Sequence, residues 1–248
     1  MERIPDDPVA RQEWLEAWAN EQERHVDTKP LPRAQRLRMQ ARGTRHGLAL
    51  KAWWYADQFL DRGLGTRGIA TEPEHEVPDR VAYVPSAWHV LPRALHYLGA
   101  GEHDTFIDFG CGKGRIVHQA ARRPFRRVIG VEISPLLGDA ARAVVAAGRK
   151  SHRCRDVEIV VGDATRFEVP DDLTIAYLYD PFRGEILDAV LQNIIASVDR
   201  RPRPVRIIYV HPVEAGRVLG TGRFRLLTEQ RGGLRDRRTG RAAIFESR

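Results

Sequence analysis

Phe106-Ile107-Asp108-Phe109-Gly110-Cys111-Gly112-Lys113-Gly114-Arg115 reads as an apolar strand ending in an acid, then a glycine-spaced turn, then the start of a helix. Glycine lets the main chain turn sharply and approach a ligand closely. Asp108, two residues before the first glycine, is placed to receive a cationic or amino group. A dinucleotide-binding loop carries its third glycine three positions after its second, so that pyrophosphate sits on a helix end. Arg115 occupies that position here. The turn therefore suits a ligand that presents positive charge rather than phosphate.

Outward from this unit, strand and helix alternate. The patterning predicts strands at 105–109, 127–131, 157–161, 174–179 and 205–210, and helices at 114–122, 135–147 and 184–198. Short β-rich runs joined by crossover helices predict an α/β fold built on a mostly parallel, doubly wound sheet. Segments 224–229 and 242–246 flank a Gly/Arg-rich turn and predict a terminal antiparallel hairpin. Upstream, Ser86 is the expected N-cap of a helix running to Leu98. Residues 8–26 read as an amphipathic helix with Trp14 and Trp18 on one face, and Pro30 and Pro32 break the chain after it. Residues 33–61 also read as helical, and 71–80 as a loop. The expected organisation is an N-terminal helical extension or lid over 1–80 and an α/β domain over 81–248.

Two further acids extend the glycine turn into a pattern. Glu132 ends the second strand, 18 residues after Gly114. A carboxylate there accepts ribose hydroxyls, or it caps the helix that starts near Pro135. Ile133 beside it offers an apolar wall for adenine. Asp163 and Ala164 follow the third strand. The Asp163 carboxylate suits the exocyclic amine of adenine and the Ala164 N–H a ring nitrogen, or Asp163 forms a turn. In open α/β sheets ligands lie beyond the carboxyl ends of the strands. The set suits a ligand with an ammonium, a sulfonium and an adenosine.

Asp108, the Gly110–Gly112–Gly114 turn, Glu132 and Asp163 together resemble class I S-adenosylmethionine-dependent methyltransferases over about residues 83–248. The resemblance implies a Rossmann-like, seven-stranded sheet whose last strand runs antiparallel. It implies that Asp108 and the turn through Cys111 hold the methionine part, Glu132 the ribose and Asp163 the adenine of S-adenosylmethionine. Cys111 stands at a variable turn position and reads as packing or backbone support. Tyr83-Val84-Pro85-Ser86 is similar to a short motif of lysine methyltransferases of the archaeal and mitochondrial kind, which implies that Tyr83 covers the methionine end of the cofactor.

Asp180-Pro181-Phe182, after the fourth strand, resembles the Asp/Asn-Pro-Pro-aromatic motif of amino-group methyltransferases, with the second proline missing. It implies that Asp180 faces the methyl group and an amine acceptor. His211 ends the fifth strand and reads either as a general base or as a loop histidine bonded to backbone. The implied acceptor is an amine of a peptide, protein or small molecule. An RNA methyltransferase, a non-catalytic cofactor-binding protein and a nicotinamide oxidoreductase are the competing readings.

Composition narrows the setting. Two cysteines make no disulfide framework, so a reducing, cytoplasmic compartment is expected. The histidines and cysteines show no metal-ligand spacing. The net charge of +7 sets 40 basic residues against 33 acidic ones, and 36 of the 40 are arginine, a bias consistent with GC-rich coding. Seven basic residues fall within 29–51, and no acid occurs between residues 28 and 56. That stretch reads as a solvated arginine face or as a site for an acidic partner.

Overall fold

β1 (Thr105–Phe109) is buried along its whole length, as a central parallel strand must be when helices cover both faces of its sheet. The computed structural model describes residues 59–66, 85–230 and 241–248. The chain divides into two units, Met1–Trp54 and Tyr55–Arg248, and every described residue belongs to the second. The expected helix over 8–26, most of 33–61, the basic stretch 29–51, Tyr83 and the boundary near residue 80 lie outside the described residues.

The remaining strands are β2 (Arg127–Glu132), β3 (Val157–Val161), β4 (Leu173–Tyr179), β5 (Arg206–Val210), β6 (Phe224–Gln230) and β7 (Ala242–Ser247). The seven lie in the order β3-β2-β1-β4-β5-β7-β6. β7 pairs antiparallel with both β5 and β6, so it alone runs against the other strands. This is the Rossmann-like, mostly parallel sheet with a terminal hairpin that the sequence predicts. The helices are α1 (Val90–Leu98), α2 (Arg115–Ala121), α3 (Pro135–Gly148), α4 (Gly184–Arg200) and the short α5 (Ala215–Gly220). Alternation along β1 feeds two cores. Ile107 and Phe109 pack with Leu187, Leu191 and Ile194 of α4, whereas Phe106 packs with Leu91, Val117 and Ala141 of α1–α3. Among the described residues no helix is long and apolar enough to cross a membrane.

One helix start differs from expectation. α1 begins at Val90, with His89 in the N-cap position and no side-chain hydrogen bond capping the helix. Ser86 has other work: its hydroxyl accepts from the Tyr177 O–H at 3.0 Å and its carbonyl accepts from Arg115 at 3.1 Å. Burial pushes the Tyr177 phenol up, so it stays a donor, and a buried donor is costly to leave unpaired.

Arg115 explains why no third glycine is needed at its position. Its side chain is 3 % exposed and donates to Thr66 Oγ1 at 2.7 Å and to Asp61 Oδ1 at 3.4 Å, under the Trp88 ring at 5.1 Å. The guanidinium thus ties segment 59–66 and the turn before α1 to the first turn of α2.

Behind α2, the His118 and His152 rings meet at 3.0 Å between Nδ1 and Nε2. Gly148 is required here, since a Cβ on it would lie 2.2 Å from His118 Nδ1. Burial, then the neighbouring His152 and Arg122, lower His118 from 6.5 to about 4, and burial with Arg122 and Arg149 lowers His152. Both rings are neutral in the fold, whereas the unfolded chain takes up protons below its ordinary histidine pKa. Stability is therefore full above about pH 6.5 and falls as pH drops toward 4. Urea unfolding followed from about pH 7 to about pH 4.5 is expected to show a falling midpoint that His152→Gln flattens. A midpoint slope identical in the variant would refute this source.

Candidate active site

The strand tips decide what meets at the carboxyl edge of the sheet. In β1, Asp108 lies level with Gly130 of β2 and Tyr177 of β4. It is 3 % exposed. Burial, and then the negative charge of Glu132, push its carboxyl well above the usual carboxylate range. The two acids therefore act on one another electrostatically across the strand tips.

The glycine turn follows directly. Gly110, Gly112 and Gly114 all have positive φ, at 77°, 52° and 77°, a region open to glycine and costly for other residues. The N–H groups of Gly110 and Cys111 donate to the Val131 carbonyl at 2.9 and 3.0 Å, which staples the turn to β2. A Cβ on Gly114 would lie 3.0 Å from Ala141, so this glycine lets α2 approach α3. A Cβ on Gly110 would lie 2.7 Å from the Pro181 side chain. The turn after β1 thus presses against the loop after β4. Cys111 is buried, and burial with the charges of Asp108 and Glu132 pushes its thiol well up. It is a packing group and not a thiolate.

Glu132 is engaged in the turn itself. One oxygen accepts from Gly112 N–H at 2.7 Å and the other from Ser134 N–H at 3.0 Å. Helix α3 is capped by the Ser134 hydroxyl, which accepts from Leu137 N–H at 3.1 Å, so Glu132 touches the helix start only through the N–H of that cap residue. Half-buried Ile133 lies between them. Asp163 accepts from the N–H and hydroxyl of Thr165 at 2.9 and 2.8 Å, forming the turn that the sequence left open as its alternative role. Buried Ala164 begins that turn, whose Thr165 carbonyl is held by Asn193 at 2.8 Å. None of these residues is displaced from the edge on which the sequence places it.

The second centre lies between β4 and β5. Tyr179 pairs with Val210 in parallel register, so the next residues, Asp180 and His211, leave neighbouring strands side by side. His211 Nδ1 lies 3.0 Å from Asp180 Oδ2. Asp180 is 3 % exposed and also accepts from Arg183 at 3.0 Å and from the Tyr209 hydroxyl at 3.4 Å. Burial and the Asp180 charge push the Tyr209 phenol up, keeping it a donor. A carboxylate only accepts, so Nδ1 is the donor to Asp180, and in the neutral ring this leaves the lone pair on Nε2. Asp180 and His211 have φ of 40° and 53° and are the only non-glycine residues with positive φ among the described residues. Strain of this kind gathers at functional sites because the surroundings must hold it in place. The pairing of Asp180 with His211, and the support from Arg183 and Tyr209, escaped the sequence reading. The signal was present: both residues end a strand and both are followed by proline, in Asp180-Pro181 and His211-Pro212.

Comparisons with known proteins bear on the domain and its fold. Residues 106–200 match the family described as a methyltransferase domain. The chain is similar to an uncharacterized RNA methyltransferase of Bdellovibrio bacteriovorus, 30% identical over 131 residues, which is 52% of this chain and 31% of the relative. The chain thus spans about a third of the length of that curated relative. Among solved structures, a putative methyltransferase from Escherichia coli superposes with a TM-score of 0.51 at 16% identity, over 66% of this chain and 90% of that one. An RNA methyltransferase from Salinibacter ruber in complex with S-adenosyl-L-homocysteine reaches a TM-score of 0.44 at 22% identity, over 66% and 92%. The first of these two likenesses shows the shared fold.

Proposed function

We propose that this chain, whose residues 106–200 match a methyltransferase domain, transfers a methyl group from S-adenosylmethionine to a nucleophile held at the Asp180–His211 edge. The observation that carries the reading is the Asp108–Glu132 pair beside three positive-φ glycines. That cradle fits a cationic ligand that lies against main chain. Asp108 and the Gly110–Cys111–Gly112–Gly114 turn would hold its amino-acid part, with Tyr83 above it. Glu132 keeps acceptor capacity for two ribose hydroxyls, because each of its oxygens is committed to one N–H. Ile133 and Ala164 would flank the adenine, and Asp163 would meet its amine.

When bound, the cofactor supplies a sulfonium methyl carbon open to direct displacement, and S-adenosylhomocysteine leaves. The protein's own part is alignment and proton removal. His211 Nε2, with no partner among the described residues, takes the proton that the acceptor loses as its new bond to carbon forms. Asp180 orients the imidazole and balances the charge it gains. His211 is therefore the proton acceptor in this reading, and Asp180 its support.

Two acceptor classes are favoured by specific observations. The Asp180-Pro181-Phe182 loop, placed against the glycine turn, favours an amine nitrogen of a peptide or small molecule. The Bdellovibrio relative's designation favours RNA. Tritiated methyl transfer into cell fractions, with and without protease or nuclease, separates them. Label that survives neither in protein, in RNA nor in small molecules, with cofactor bound, would leave a binding protein of the same fold instead.

The cradle makes a second measurable statement. A cation bound beside Asp108 favours its charged form, so cofactor binding is expected to release protons. The calorimetric enthalpy of S-adenosylmethionine binding should therefore vary with the ionisation enthalpy of the buffer. A buffer-independent enthalpy would count against Asp108 as the contact.

A further inference from the structure

The opposite end of the sheet carries the reverse charge. Helices α2 and α3 end at Ala121 and Gly148, beside the amino ends of β2 and β3. The loop before β3 folds back on α2, with Arg153 and Cys154 N–H both donating to the Ala121 carbonyl at 2.8 and 3.0 Å. This brings Arg122 and Arg123 together with Arg149, Lys150, Arg153 and Arg155, two clusters 26 or more residues apart in sequence. All but half-buried Arg123 are exposed. None of the six is in an ion pair among the described residues. The acids that follow Arg155 in the chain, Asp156 and Glu158, are held by Arg127 at 3.4 and 2.6 Å. The buried His152 ring feels this excess, since Arg122 and Arg149 both lower it. Helix C-termini attract a cation or two by themselves, but six without counter-charge exceed that need.

Arg149 and Arg155 of the cluster, with Arg142, His152 and Cys154, line an open cleft of about 230 Å³. It is smaller than the roughly 300–1,000 Å³ of sites that enclose an organic ligand, so it suits surface contact and not engulfment. No large apolar side chain is exposed between residues 149 and 155, and anchoring on lipid needs such side chains. The geometry points to a second, non-catalytic docking surface at Arg122, Arg123 and Arg149–Arg155 that holds the phosphodiester backbone of RNA. The inference rests on the methyltransferase reading with RNA as acceptor. The charge pattern gives it a physical logic. Cations without counter-charge at this end of the sheet attract a polyanion backbone whatever its base sequence.

The test measures fluorescence anisotropy of a labelled single-stranded oligoribonucleotide over a salt series. It compares the full chain with Arg149→Glu/Arg153→Glu/Arg155→Glu and with the milder Arg149→Gln/Arg153→Gln/Arg155→Gln. The charge-neutral variant is expected to bind about tenfold more weakly, with a log K against log salt slope shallower by about 2, and the reversed variant more weakly still. Thermal unfolding reports that both variants are folded. S-adenosylmethionine affinity, read by calorimetry, is expected to be unchanged in both. Failure of the chain to bind the cofactor would sink the methyltransferase reading separately from the docking surface. RNA binding absent from the full chain, or equal in the folded variants, overturns the docking surface. So does selective loss of binding to vesicles of anionic phospholipid with RNA binding intact.

Discussion

Gly110→Ala is expected to weaken S-adenosylmethionine binding by about tenfold to a hundredfold. The residue has φ 77°, and a Cβ there would lie 2.7 Å from the Pro181 side chain. A left-handed conformation costs an L residue about 1–2 kcal/mol before any clash. The Pro181 ring is anchored between Asp180 and Phe182, so it yields only by moving the loop that carries Asp180. The turn escapes by shifting to an unstrained shape, and each 1.4 kcal/mol that separates the two shapes lowers apparent affinity about tenfold. Gly101→Ala is the control: a Cβ there would meet nothing within 4 Å, and such surface changes stay within about 0.5 kcal/mol. Isothermal titration of both variants makes the comparison. Equal affinities for the cofactor would remove the glycine turn from the binding site.

The second large effect concerns turnover. His211→Asn is expected to cut methyl transfer by about a hundredfold to ten-thousandfold, the range for loss of a positioned general base, with cofactor affinity intact. Asparagine is chosen because it tolerates the left-handed backbone at φ 53°. Its amide also keeps a donor for Asp180. What it lacks is a basic nitrogen in place of Nε2. The limb of the pH–rate profile that His211 contributes should vanish in the variant. A merely structural histidine would instead leave the profile's shape unchanged and alter the thermal midpoint. Unaltered turnover in a folded His211→Asn protein would return His211 to the role of a backbone-bonded loop residue.

Much of this was legible in the chain because it is written locally. Strand 105–109 and its glycine turn show in ten consecutive residues, through apolar patterning and the backbone freedom of Gly110, Gly112 and Gly114. The β1 bounds agree to the residue, and β3 likewise. Parallel order put the acids of successive strand ends on one edge, which made Asp108, Glu132 and Asp163 a recognisable series. Ser86 misled because its local pattern suits a cap, while the buried Tyr177 hydroxyl, 91 positions away, claims its oxygen. Arg115, which the sequence shows only as the residue in place of a third glycine, is buried against Asp61 and Thr66, 54 and 49 positions away.

The sequence alone determined the sheet, its crossovers and the identity of the strand-end residues, since hydrophobic period and glycine placement act over a few neighbours. The tertiary structure decided which of those residues touch. It set Asp180 against His211 through the β4–β5 register, gave Glu132 to the Gly112 N–H, and gathered two separate arginine clusters at the far end of the sheet. Contacts between distant residues depend on chain packing as a whole, where register and burial act together, and no local pattern encodes them.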